Sequence, residues 1–141
     1  MRYLLDTNIW LERLLNQDRA DEVGQLLEEV TSDQLLMTDF SLHSVGVILY
    51  RLKQRQSLAR FVNDLFVHGS VGLLTLEPTD LHRLGVAAES FNLDFDDAYQ
   101  YVAAEVHTVQ LVSFDKDFDR TKRGRLTPEE VLRQFKTTEN D

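Results

Sequence analysis

Cysteine is absent from the chain, and this absence limits the structures and sites that the sequence can form. Without cysteine there is no disulfide framework and no thiolate metal site, so any metal must be held by oxygen or imidazole ligands. Proline and glycine are also scarce, with 2 and 6 residues, whereas hydrophobic residues make up 43% of the chain. This composition is typical of a globular protein and not of a disordered one.

Long hydrophobic runs are missing as well. No segment approaches the roughly 18 apolar residues that a membrane span requires, and the chain begins with strand-like residues and not with a signal peptide. We therefore expect a cytoplasmic protein that does not bind membranes. Its 141 residues predict a single domain over residues 1–135, followed by a frayed tail over residues 136–141.

Basic residues are fewer than acidic ones. The chain contains 15 lysines and arginines but 24 aspartates and glutamates, which gives a net charge of -9. A protein that binds nucleic acid through a broad basic surface relies on lysine and arginine to release counterions. The net charge argues against that class of protein. It leaves open a hydrolase that gathers carboxylates around cations, and also a small basic groove on an acidic body.

Short apolar segments alternate with helical patterns along the chain. The apolar runs predict four strands, at residues 2–5, 35–37, 71–76 and 109–113. The sequence Thr127-Pro128-Glu129-Glu130 predicts a capped final helix that ends near Phe135. Strands that alternate with helices indicate an α/β fold, in which helices cover both faces of a parallel sheet.

Acidic residues follow the first and the last predicted strands. Asp6 ends the first strand, and Asp115 follows the last one, with Asp117 close behind. Asp96 and Asp97 begin a helix, and the partial positive charge at that end of a helix tolerates carboxylates. Because functional groups of open α/β sheets collect at the carboxyl ends of the strands, we expect Asp6, Asp97 and Asp115 to converge.

A cluster of carboxylates favours a bound divalent cation. Neighbouring carboxylates raise one another's pKa values, and a cation removes that penalty. Oxygen ligands favour Mg²⁺ or Mn²⁺ over zinc, and such ions activate water and stabilise the charge of a phosphoryl transition state. Taken singly, each acid has a structural explanation, such as Asp6 as the cap of the next helix. The combination of the three favours a metal site.

Three segments resemble the motifs of the PIN domain family, in their order and approximate spacing: LLDTNIWLE, DDAYQYVAAE and LVSFDKDF. This family of ribonuclease-like domains includes the VapC-type toxins of bacterial toxin–antitoxin pairs, and the resemblance covers almost the whole chain. It implies a three-layer α/β/α sandwich with a central parallel sheet. It also implies Mg²⁺- or Mn²⁺-dependent cleavage of single-stranded RNA, a small antitoxin partner that covers the acidic groove, and a homodimer.

The resemblance also assigns roles to individual residues. The catalytic and metal-binding acids of the family fall on Asp6, Asp97 and Asp115. Asn8 and Ser113 fall where small polar residues support these acids, and Asp117 adds a further metal contact. Beside the residues that the resemblance assigns, we expect Asp96 and Asp39 to support the site.

One position departs from the pattern of the family. The family usually carries a glutamate early in the helix after the second strand, and in the segment TDFSLHSVGVILY this place is taken by Ser44. Either Asp39 or His43 compensates, or the site has lost a ligand. With three acids a Mg²⁺ ion still binds, because it keeps several waters. The departure supports an alternative function, a PIN-like binding or scaffold module with weakened catalysis.

Two basic clusters are candidates for contacts with RNA phosphates. Arg120, Lys122 and Arg123 follow the last acids, where an RNA backbone would lie beside a metal site. The other cluster comprises Arg51, Lys53, Arg55 and Arg60. The usual explanation for such charges is a solvated helix face or loop.

A phosphatase or receiver-like α/β domain is a third interpretation, because such domains also place an aspartate after the first strand. Here the stretch is Asp6-Thr7-Asn8, without the Asp-x-Asp pattern of the phosphatases. No lysine follows a later strand where both of those folds need one, so we rank this interpretation last.

Overall fold

In a computed structural model, which describes residues 1–140 and their side chains as far as Thr137, four parallel strands form the central sheet. The strands are β1 (Tyr3–Leu5), β2 (Leu35–Thr38), β3 (Gly72–Leu74) and β4 (Gln110–Val112). The α-helices are α1 (Thr7–Leu14), α2 (Ala20–Glu29), α3 (Asp39–Arg51), α4 (Arg55–Val62), α5 (Leu81–Phe91), α6 (Phe95–Val106) and α7 (Pro128–Asn140).

Alternation of side chains along the strands divides the hydrophobic core into two parts. Tyr3 and Leu5 of β1 pack with residues of α1, α2, α3, α4 and α7, whereas Leu4 packs with residues of α5 and α6. Successive residues of a strand point to opposite faces of the sheet, so β1, β2 and β4 each supply both cores. The predicted fold class, an α/β/α sandwich around a parallel sheet, is confirmed.

Trp10 shows how α1 is fixed against the sheet. Its side chain is 1% exposed and meets the ring of Phe61 edge-on, with the ring centroids 5.7 Å apart. The indole Nε1 donates a hydrogen bond of 3.1 Å to the carbonyl of Leu5, which satisfies the one polar atom of the side chain. The start of α1 is therefore held close to the carboxyl end of β1.

The strand order β3-β2-β1-β4 creates a switch point between β1 and β4. The connections run outwards from β1 to β2 and β3, and then α5 and α6 carry the chain back to β4 on the other side of β1. A crevice forms where the connections leave neighbouring strands in opposite directions. Asp6 lies at this crevice, directly after β1. Its backbone N–H donates a hydrogen bond of 2.9 Å to the carbonyl of Val112 in β4.

Two elements end more than one residue away from where they are predicted to end. The third strand is confined to Gly72–Leu74, because only these residues pair with β2, which itself ends at Thr38 where α3 begins. The final helix continues beyond Phe135, and its backbone is helical as far as Asn140.

The final helix extends over residues 136–140 of the predicted tail, and Asp141 lies outside the described residues. No glycine or proline follows Pro128 to end the helix. Contacts four positions apart support the last turns, because Arg133 pairs with Glu129 and its carbonyl accepts from the Thr137 hydroxyl. Within the described residues, no helix is both long and apolar enough to cross a membrane.

Candidate active site

A cleft of about 370 Å³ opens beside the carboxyl ends of β1 and β4. Five of the residues that line it carry carboxylates, and these are Asp6, Asp94, Asp96, Asp97 and Asp115. The remaining lining residues are neutral, and they include Phe40 and Ser44 from α3. Because this lining contains no lysine or arginine among the described residues, the negative charge of the cleft has no side-chain counterion.

Asp6 is both the N-cap of α1 and a buried member of the cleft, at 6% exposure. Its Oδ1 accepts from the backbone N–H of Thr7 at 2.8 Å and from Nε2 of Gln100 at 2.9 Å. Its Oδ2 accepts from the hydroxyl of Ser113 at 2.7 Å. Burial raises the pKa of Asp6 and the charge of Asp115 adds to that rise, whereas the three hydrogen bonds oppose it.

Gln100 is a residue of the site that the sequence reasoning missed. It is 1% exposed on α6, and its Nε2 also donates 2.7 Å to the Ser41 hydroxyl, while its Oε1 accepts at 2.7 Å from the Thr38 hydroxyl. One amide therefore joins α6 to the cap of α1, to the end of β2 and to the start of α3. The available signal was a glutamine within the stretch Ala98–Ala104, whose other side chains are aliphatic or aromatic.

Asn8 and Ser113, which the resemblance expects to support the acids, lie together beside Asp6. The hydroxyl of Ser113 accepts from Nδ2 of Asn8 at 3.2 Å and from the backbone N–H of Asp115 at 3.0 Å. Oδ1 of Asn8 accepts from the backbone N–H of Phe114 at 3.3 Å. These bonds tie the loop that carries Asp115 to the start of α1.

Among the described residues, Asp97, Asp115 and Asp117 form a group that can hold a cation, because one carboxylate oxygen of each lies within 4.8 Å of the other two. Burial raises the pKa of Asp97 to about 7, with further contributions from the charges of Asp115, Asp94 and Asp6 and from a hydrogen bond with Asp115. Asp6 lies in the same cleft but outside this group of oxygens, because Gln100 and Ser113 hold its carboxylate.

Asp94 and Asp96 bring two more carboxylates to the cleft from the start of α6. Asp94 is the N-cap, and its Oδ1 accepts from the backbone N–H of Asp97 at 2.9 Å. Asp94 therefore fixes the first turn that presents Asp97. Asp96 is exposed and lines the cleft, so its supporting role stays a prediction.

Of the three residues considered for the missing glutamate, the cleft lining contains only Ser44 among the described residues. Oδ1 of Asp39 accepts at 2.8 Å from the hydroxyl of Tyr99 and at 2.8 Å from the backbone N–H of Phe40. His43 is exposed. The place of the glutamate is therefore occupied by a short hydroxyl, and Asp39 is engaged in holding α3 against α6.

The basic residues after the last acids are bound largely to the protein itself. Arg120 donates to Asp117 and to the backbone carbonyls of Phe91 and Asn92, and Arg123 donates to the carbonyl of Val109. These bonds anchor the loop next to Asp117. The contribution of Arg120, Lys122 and Arg123 to RNA binding stays a prediction.

Comparison with solved structures agrees with the fold described above. Among solved structures, the chain is similar to a toxin–antitoxin complex from Klebsiella pneumoniae, with 24% identity, a TM-score of 0.72, and coverage of 89% of this chain and 97% of that chain. It is also similar to PAE2754 from Pyrobaculum aerophilum, with 21% identity, a TM-score of 0.67, and coverage of 97% and 96%.

A third similar structure is VapC20 of Mycobacterium tuberculosis, described as a sarcin–ricin loop cleaving toxin, with 14% identity, a TM-score of 0.70, and coverage of 89% and 99%. A comparison of the sequence with curated proteins gives no match. At these identities the structural likeness establishes the fold. The sequence model of the PIN domain matches residues 3–124, and the chain therefore belongs to the PIN domain family.

Proposed function

We propose that the protein is a metal-dependent endoribonuclease that cleaves single-stranded RNA, and that it is the toxin of a toxin–antitoxin pair. The observation that carries the proposal is the approach of carboxylate oxygens of Asp97, Asp115 and Asp117 to within 4.8 Å of one another. Asp97 and Asp115 line the cleft that also holds buried Asp6. Membership of the PIN family supports a nuclease. A structurally similar protein, VapC20, is itself described as a toxin that cleaves RNA at the sarcin–ricin loop.

The donor set of the cleft fits a hard divalent cation, which we propose to be Mg²⁺ or Mn²⁺. The ligands offered by Asp97, Asp115 and Asp117 are all oxygens, and three carboxylates so close together repel one another without a cation. When bound, such an ion supplies activation of a water molecule and neutralisation of charge on the phosphate. Among the described residues no lysine or arginine lines the cleft, and Arg120 pairs only with Asp117 of these three carboxylates. Within that described part of the chain, Asp97 and Asp115 are thus left without a cationic side-chain partner, which strengthens the case for a metal.

Other residues of the chain orient the acids. Gln100 and Ser113 donate hydrogen bonds that hold Asp6 in one position and favour its ionised form. Asn8 and Ser113 fix the loop that presents Asp115, and Asp94 fixes the turn that presents Asp97. These contacts give a pre-organised set of carboxylates, which is what a phosphodiester-cleaving site requires.

The proposal includes three further points. A small antitoxin covers the cleft, the protein forms a homodimer, and it is located in the cytoplasm. The support for an antitoxin is that the structurally similar proteins include toxin–antitoxin complexes, among them VapBC2 from Rickettsia felis bound to a DNA fragment from the promoter of the pair.

A cleavage assay tests the nuclease. Purified protein is incubated with a panel of single-stranded RNAs and with Mg²⁺ or Mn²⁺, beside the variants Asp6→Asn and Asp97→Asn and the matched control Asp18→Asn, which changes an exposed loop. We expect EDTA to abolish cleavage. Each site variant is expected to lower the cleavage rate at least about 100-fold, which corresponds to an activation barrier higher by roughly 3 kcal/mol. The control is expected to cleave normally.

The presence of Ser44 in the cleft favours one second candidate, a PIN-like binding module with weakened catalysis. That function predicts RNA binding without cleavage in either metal. Wild-type protein that binds the RNA panel but leaves it intact would establish this candidate and overturn the nuclease.

A further inference from the structure

A basic groove lies apart from the acidic cleft, where the chain turns from α3 into α4. We propose that this α3–α4 corner, residues 50–60, binds the phosphate backbone of single-stranded nucleic acid. The binding itself does not depend on cleavage. Only the suggestion that it guides substrate towards the carboxylates rests on the proposed nuclease function.

Charge is strongly segregated along this chain. Residues 51–60 contain four cations and no carboxylate, whereas the other positions hold 11 cations and all 24 acids. The acid-free stretch extends from Phe40 to Asn63 and covers almost all of α3 and all of α4. A local positive potential on a protein of net charge -9 attracts an anion to one place and not to the whole surface.

The cations of the corner are exposed and available. Arg51, Lys53, Arg55 and Arg60 are all exposed, and none forms an ion pair with a carboxylate of residues 1–137. By contrast, two of the arginines near the acidic cleft are bound to the protein, because Arg120 pairs with Asp117 and Arg125 pairs with Asp119. The corner therefore brings four cations without a carboxylate partner among residues 1–137 into a stretch of ten residues.

The cations surround a groove of about 640 Å³, lined by Lys53, Arg55 and Arg60 together with Tyr50 and uncharged polar residues. At the start of α4, Gln54 makes no side-chain capping bond, so the first-turn amides keep their hydrogen-bonding capacity and add partial positive charge. The side-chain cations and the start of α4 therefore both favour a negatively charged ligand in this groove.

The aromatic ring in the groove favours nucleic acid over an acidic peptide. Tyr50 is 54% exposed, and the Arg55 guanidinium lies 5.3 Å from the centroid of its ring. Unpaired bases stack on aromatic rings and on arginine planes, whereas a run of glutamates makes no use of them. Single-stranded nucleic acid uses both the cations and the ring.

The helix α3 connects the corner with the acidic cleft, because it contributes residues to both. Ser44 lines the cleft and Arg51 follows seven positions later, so the two residues are two turns apart on nearly the same face of α3. At 1.5 Å per residue, this separation is about 10 Å along the helix. A strand of RNA held at the corner is thus within a few nucleotides of the carboxylates.

The test measures binding of fluorescent oligothymidylate by anisotropy in EDTA, where metal-dependent cleavage is silent. For single strands, log K falls with log salt concentration by about 0.7 for each phosphate contacted, so four contacts predict a slope near -2.8. We expect the triple variant Lys53→Gln, Arg55→Gln, Arg60→Gln to reduce the slope by about 2 and to weaken binding at least tenfold at low salt. The matched control Arg133→Gln, on α7, is expected to bind as the wild type does.

An unchanged slope and affinity in the triple variant would overturn the inference. It would also be overturned if polyglutamate, and not oligothymidylate, lost affinity in that variant, because the corner would then belong to an acidic protein partner. Because the three substituted positions are exposed, we expect the variant to fold, and circular dichroism verifies this. A protein that binds as expected but never cleaves RNA disproves the proposed nuclease and leaves this inference intact.

Discussion

The side-chain amide of Gln100 donates a hydrogen bond of 2.9 Å to Oδ1 of Asp6, a residue 94 positions earlier in the chain. The same amide group of Gln100 bonds to Ser41 and Thr38, so one buried side chain satisfies polar atoms of the α1 cap, of β2 and of α3 at once. A buried polar group that loses its partner destabilises the fold by about 1–3 kcal/mol. The site is therefore coupled to the stability of the protein.

Replacing Gln100 by methionine keeps the volume of the side chain and removes all three hydrogen bonds. We expect the free energy of unfolding to fall by about 3 kcal/mol, because Asp6, Ser41 and Thr38 are left with fewer partners in the interior. Urea denaturation measures the change. The control Gln25→Met alters an exposed glutamine on α2, and we expect a change below about 0.5 kcal/mol. A loss at Gln100 no larger than at Gln25 would contradict the role assigned to this network.

The stability of the metal-free protein is expected to depend on pH through Asp97. Its pKa is raised from 3.8 to about 7 in the folded state, so the folded protein holds this proton more tightly than the unfolded chain does. This contribution is complete below about pH 4 and is lost as the pH rises towards 7. We expect the urea midpoint in EDTA to fall between about pH 5 and pH 7.5. Asp97→Asn removes much of that fall, and a variant with the wild-type pH profile would disprove the assignment.

Divalent ions are expected to stabilise the folded protein through the same carboxylates. A ligand that binds only the folded state raises its stability by about 2.7 kcal/mol at a concentration of 100 times its Kd. We expect the melting temperature to rise with Mn²⁺, and Asp115→Asn to remove most of that rise. Asp119→Asn is the matched control in the same loop, because its carboxylate bonds to Arg125 and lies outside the group that can hold a cation. Equal Mn²⁺ responses in the two variants would argue against the metal site.

Ser44→Glu tests whether the departure from the family pattern weakens the site. Ser44 lines the cleft, so a glutamate there adds a carboxylate next to Asp97 and Asp115. We expect Mn²⁺ to bind at least several-fold more tightly, by calorimetry, and RNA cleavage to increase. Ser44→Gln has the same size without the charge and serves as the control. If the glutamine variant gains as much affinity as the glutamate variant, the missing carboxylate is not what limits metal binding.

Apart from the fold class and the family, the predictions that held in this chain concern local features, which depend on neighbours in the sequence. The final helix begins where the Thr127 motif places it, and the Thr127 hydroxyl and Glu130 make the reciprocal bonds of a capping box. The start of α1 at Thr7 follows in the same way from the capping side chain of Asp6. The end of that final helix was placed too early, because no local stop signal marks it and helix ends depend on weak contacts.

The arrangement of the acids depends on contacts across the fold. Local periodicity fixed which residues are helical or extended, together with the caps that begin helices, because those features arise from interactions over a few positions. The partnership of Gln100 with Asp6, and the raised pKa of Asp97 beside Asp115, follow from a strand order that brings β4 next to β1. Strand order is set by how whole helices pack over long chain separations, and no short stretch of sequence carries that information.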